Sequence, residues 1–106
     1  MLTENECLLI SLIEEQAEVI QRLCKALRFG LYEVQPGQEL TNRERIHREM
    51  ADVVGVTDLL RWRGVLMTGY DCEGFLAKAK REKVMQFMEY SQELGIVEPS
   101  SSAKDD

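Results

Sequence analysis

Between Asn5 and Phe29 apolar residues recur at Leu9, Leu12, Ile13, Ile20, Leu23, Cys24 and Leu27, broken once at Gln16. Spacings of three and four over such a length are the period of an amphipathic helix, and they commit the chain to a long first helix. Thr3 with Glu6 three residues on has the form of a capping box, and Gly30 is a natural stop. Leu31 to Leu40 holds Pro36-Gly37 in a polar setting and reads as a loop, with no sign of a strand pair. Thr41 or Asn42 can cap a second helix, with Glu44 or Arg45 following. Ile46, Met50, Val53, Thr57 and Leu60 share one face of that helix, which is expected to run to about Gly64. Asp71 is the candidate cap of a third helix carried by Phe75, Leu76, Ala79, Val84, Phe87, Met88 and Leu94 and closed by Gly95.

The fold class that follows is all-α, a bundle of three or four helices. Val53, Val54, Val56, Leu59 and Leu60 cannot all point the same way, so the second helix needs apolar cover that two other helices of one chain supply incompletely. The expectation is that oligomerisation completes the bundle, as a homodimer or homotetramer. A chain of 106 residues is a single domain by size, here residues 1–98. Residues 99–106 carry no apolar anchor and are expected to form a mobile tail.

Charge narrows the partners. With 19 acidic against 13 basic residues the net charge of -6 repels a polyanion, which disfavours duplex nucleic acid. No apolar run approaches the length of a bilayer span, so no membrane is expected. Acidic residues ahead of Leu8-Leu9-Ile10 have the wrong sign for a secretory leader, and the expected location is the cytoplasm. Cys7, Cys24 and Cys72 lack metal or redox spacing and read as buried small apolar residues. No nucleophile elbow or Gly-rich phosphate loop is present.

The residues that carry chemistry are acidic. Glu15 and Glu18 on the first helix, and Glu49 and Asp52 on the second, are pairs at i, i+3, which places each pair about 60° apart around the axis and one turn along it. Face-to-face packing of the two helices would converge four carboxylates, and a hard cation is the natural remedy for that density of charge. Taken alone, Glu14, Glu15 and Glu18 read first as a solvated acidic face, and only the second helix makes the metal reading the better one. Asp52 stands among Met50, Ala51, Val53 and Val54, which predicts burial and hence either a ligand role or pairing with Arg48 or Arg63.

The pattern Glu14-Glu15-x-x-Glu18 followed by Glu49-x-x-Asp52 resembles the signature of the MazG-type all-α nucleoside triphosphate pyrophosphohydrolases, and the stretches 13–30, 41–60 and 80–95 look like short, phage-type members. The resemblance implies hydrolysis between the α- and β-phosphates of a (deoxy)nucleoside triphosphate, giving monophosphate and pyrophosphate. It implies Mg2+, with Mn2+ as a possible substitute, on Glu15, Glu18, Glu49 and Asp52, with Glu14 assisting from behind or orienting water, and host cytoplasm if phage-encoded. Thirty residues, 19–48, separate the two halves, more than is usual in the family, and the Pro36-Gly37 loop absorbs the excess.

A triphosphate needs cations beyond the metal. Lys80 and Lys83, an i, i+3 pair on the third helix, are the first candidates, ahead of Lys25 and Arg28 at the end of the first helix. Phe29, Tyr32, Trp62 and Tyr70 are available to stack on a base, and His47 to contact one, but such aromatics are more often core or interface and His47 reads first as an exposed helix residue. The alternative from another class is a non-catalytic helical interaction module that binds a protein through the apolar surface of the second helix.

Overall fold

The computed structural model describes residues 1–68 and 74–100. It contains three helices among these residues, α1 (Glu4–Phe29), α2 (Asn42–Trp62) and α3 (Phe75–Glu93). The chain divides into two compact units, Met1–Thr68 and Gly69–Asp106. No helix among the described residues is long and apolar enough to cross a membrane.

The first unit is a two-helix hairpin whose ends are fixed by local chemistry. At the start of α1 the Glu6 amide donates to Thr3 Oγ1 at 3.1 Å and the Thr3 amide donates to Glu6 Oε1 at 2.9 Å, the reciprocal pair of a capping box. Gly30 ends the helix at φ 100, ψ 149, a region closed to side-chain-bearing residues, while its amide still donates to the Ala26 carbonyl. α2 opens with a second capping box, Thr41 with Glu44. It closes in a Schellman motif, the Gly64 amide donating to Arg61 and the Val65 amide to Leu60.

The loop between them is more ordered than a plain polar connection. The Asn42 amide donates to the Glu33 carbonyl and the Arg43 amide to that of Leu31, and a single antiparallel bridge joins Val34 to Thr41. Asn42, only 1% exposed, donates from Nδ2 to the Gly30 carbonyl at 2.9 Å and to Glu33 Oε1 at 3.1 Å. At the other end of the hairpin, Arg63 Nε donates to Asn5 Oδ1 at 2.9 Å and its Nη2 lies 3.9 Å from Glu4 Oε2. Both ends being tied, α1 and α2 are held antiparallel in one register.

What lies between the helices is thin. Among the described residues only Ala26 and Leu60 are fully buried apolar side chains. The less exposed positions of α1 form one stripe, Leu8, Leu12, Glu15, Val19, Arg22 and Ala26, matched on α2 by Ile46, Glu49, Val53, Val56 and Leu60. Other apolar side chains face outward, among them Ile13 (64% exposed), Ile20 (63%), Val54 (58%) and Trp62 (82%). Cys7 and Cys24, expected to be buried, are exposed, because α1 packs on a single partner helix and only one stripe of it is covered.

In the second unit α3 is preceded by Gly74, which offers no side-chain cap; the expected cap, Asp71, lies outside the described residues together with Tyr70 and Cys72. Gly95 closes α3 as expected, in another Schellman motif with Ile96 donating to Ser91. Of the expected tail, Ser100 is held to α3 by Gln92 Nε2, which donates to its Oγ at 3.1 Å and to the Glu98 carbonyl at 3.0 Å. Residues 101–106 lie outside the described residues.

Candidate functional site

Glu15 and Glu49 occupy the facing stripes of α1 and α2, and Glu18 stands one turn beyond Glu15. The hairpin brings one oxygen of each of the three carboxylates within 4.8 Å of the others, close enough for a single cation to touch all three. Two oxygens, Glu15 Oε2 and Glu49 Oε2, are shut off from solvent without a hydrogen-bond donor. A buried carboxylate oxygen with no partner is costly, so the cluster is under electrostatic strain in the absence of a cation or a proton.

Titration behaviour follows from the same geometry. Loss of hydration raises the Glu15 carboxyl above its ordinary value of 4.5, and the charges of Glu18, Asp52 and Glu14 push it further in the same direction. Burial likewise raises Glu49, followed by its contact with Glu18 and the charges of Glu18, Asp52 and Glu15. Asp52 thus lies within the field of both groups, although its oxygens are not among the three that meet.

The expectation that Asp52 is buried is corrected. It is exposed, because only one flank of α2 is covered by α1 and its neighbours Met50, Ala51 and Val54 are open as well. Nor does Arg63 pair with it, being engaged by Asn5 and Glu4 at the far end of the hairpin. The charge of Arg48 acts on Glu44. No family model matches the chain, and neither a curated protein nor a solved structure matches it.

Beside the carboxylates runs a mainly apolar groove of about 380 Å³ lined by Gln16, Val19, Ile20, Met50, Val53 and Val54. These residues flank Glu15, Glu18, Glu49 and Asp52 in sequence, so the groove and the acidic cluster share an edge of the hairpin. A second, more polar hollow of about 540 Å³ lies over the start of α2, where Arg43, His47, Arg48 and Tyr32 meet Thr41 and Glu44. There Arg43 Nη1 donates to Tyr32 Oη at 3.1 Å. His47 and Tyr32 are both exposed, as are Phe29 and Trp62.

The expected phosphate-binding cations are dispersed. Lys25 is half-buried on the covered side of α1, seven residues beyond Glu18, whereas Arg28 is exposed in the last turn. Lys80 and Lys83 are exposed on α3, in the other unit, with Lys83 Nζ 5.9 Å from the centre of the Phe87 ring. One cation escaped the reading of the sequence altogether. Arg22 lies on the covered stripe, four residues after Glu18 and seven after Glu15, and its Nη1 is shut off from solvent without an acceptor. The signal in the sequence is its helical spacing of four and seven from the two glutamates, which puts it on their side of α1.

Proposed function

We propose that this chain is a Mg2+-dependent pyrophosphohydrolase of (deoxy)nucleoside triphosphates, yielding monophosphate and pyrophosphate. The observation that supports the reading best is the meeting of Glu15, Glu18 and Glu49 from two helices, with two buried carboxylate oxygens that lack any donor. The donor set, all carboxylate oxygen, suits a hard divalent cation. Glu15, Glu18 and Glu49 would hold it, with Asp52, one turn beyond Glu49 and within the field of the cluster, as the fourth ligand. Bound there, Mg2+ (or Mn2+ in its place) supplies charge neutralisation for the phosphates and acidification of water. Glu14, whose charge already acts on Glu15, would orient the attacking water and accept its proton. Lys80, Lys83, Lys25 and Arg28 remain candidate phosphate cations.

In this reading the working unit is a cytoplasmic homodimer or homotetramer, supported by the open apolar flank of Ile13, Ile20, Met50 and Val54. The same flank favours the second reading, a non-catalytic module that engages a partner protein, for which the acidic cluster would be dispensable. Incubation with Mg2+ and a panel of ribo- and deoxyribonucleoside triphosphates, resolving monophosphate and pyrophosphate, separates the two. Release of pyrophosphate from any of them supports the enzyme, and no turnover across the panel overturns it. Melting with and without millimolar Mg2+ or Mn2+ adds a check independent of substrate, since a ligand of the folded state raises the melting temperature.

A further inference from the structure

The open side of α1 repeats the pattern of its covered side. The stripe that packs against α2, from Leu8 through Glu15 to Ala26, is spaced alternately by four and three residues. Leu9, Ile13, Gln16, Ile20, Leu23 and Leu27 follow the same spacing one residue on, so a second seam runs beside the first along most of this 26-residue helix. Ile13, Ile20 and Leu27 recur every seven residues, the period that keeps a seam turned toward a partner helix wound around it. Within the first unit this second seam is uncovered: Leu9 is half-buried, the other five are exposed, and Leu27 reaches 88%. A contiguous apolar strip of that length in water is an interaction surface rather than scattered surface leucines.

The charges beside the seam say what covers it. At 3.6 residues per turn, no charged residue stands on this side of α1 between Glu6 at one end and Arg28 at the other, both of them exposed; Ile10, Ala17, Gln21 and Cys24 border the seam between those ends. Ala17 lies midway, eleven residues from each. A copy of α1 laid antiparallel across a two-fold axis at Ala17 therefore brings each Glu6 to Arg28 of the second copy, whereas parallel pairing sets like charges together. Opposite charges equidistant from a centre are what a self-complementary contact requires. Gln16, the one polar residue of the seam, then lies next to the axis in both copies, where a single polar position fixes the register of paired helices. We infer that the open seam of α1 is a docking surface for α1 of a second copy, antiparallel and centred on Ala17. This rests on the oligomeric part of the proposed function and not on the metal site.

The test combines sedimentation with disulfide trapping on the full-length chain. The unaltered protein should sediment as a dimer or tetramer at micromolar concentration. With Cys7, Cys24 and Cys72 changed to serine, Ala17→Cys should be converted by oxidised glutathione into a disulfide-linked dimer; Ala17 is exposed in the hairpin, so the fold has room for the added sulfur. A chain that keeps Cys24 as its sole cysteine should stay unlinked, because antiparallel pairing sets Cys24 opposite Ile10 and far from its own copy. Adding Ile10→Cys to that chain should restore the link. A monomer in sedimentation overturns the inference, with the seam then covered by another part of the same chain or by a different protein. So does an unlinked Ala17→Cys, and so does linkage through Cys24 alone, which is the result of parallel pairing. Failure of the proposed activity looks different: linkage at Ala17 with no turnover of any nucleotide would keep the pairing and remove the hydrolase.

Discussion

Glu15 and Glu49 are held against their ordinary acidity, and the direction fixes how the protein responds to pH. Burial raises both carboxyls, so the fold favours their protonated forms. Their contribution to stability is full below 4.5 and is lost as pH rises through the raised values. Glu6 and Glu44 behave oppositely, lowered first by the cap amides of Thr3 and Thr41, so what they contribute is present above 4.5 and lost as pH falls through their lowered values. Metal-free protein should therefore gain melting temperature as pH falls from neutrality toward this value and lose it again below. Glu49→Gln should flatten the neutral limb alone. The same substitution should lower nucleotide turnover by more than about 100-fold, beyond the loss usual for groups that only support a metal ligand. Melting curves across pH and steady-state rates check the two. The i, i+3 spacing of the four acids was legible in the sequence because helix geometry alone sets it. The exposure of Asp52 was not, because it depends on how much of α2 a single partner helix covers.

Caps set where each helix begins, and the ties at the two ends of the hairpin hold the register that brings Glu49 opposite Glu15 and Glu18. Both capping boxes were legible because Thr3 with Glu6, and Thr41 with Glu44, are local patterns with a fixed hydrogen-bond geometry. The clasp around Asn42 was not, since its acceptors on Gly30 and Glu33 are set by the path of the loop. Thr41→Ala should cost about 1 kcal/mol as a lost N-cap. Asn42→Ala should cost about 1–3 kcal/mol, because the part-buried Gly30 carbonyl and Glu33 carboxylate both lose their donor. Urea denaturation measures both, and if Asn42 fixes the register its variant should also lose turnover out of proportion to the fraction unfolded. The third helix shows the limit of end signals: Asp71 had the residue type of a cap, yet α3 begins after Gly74.

Taken as a whole, the hairpin leaves more apolar surface open than two helices can hide, which the sequence announced through the many-sided second helix. Which residues stay open was not readable, because it depends on the rotation of α1 against α2. Ile20 and Val54 line the open groove, so Ile20→Glu and Val54→Glu should each shift sedimentation toward monomer if copies of the chain cover this flank. Unchanged sedimentation would place the assembly elsewhere. The function itself turns on whether the converging carboxylates take up a cation. Titration of Mn2+ into metal-free protein at neutral pH, followed by electron paramagnetic resonance, should show stoichiometric uptake that Glu49→Gln abolishes while remaining folded. Equal uptake by the two proteins, or none by either, would contradict the metal site and the hydrolase built on it.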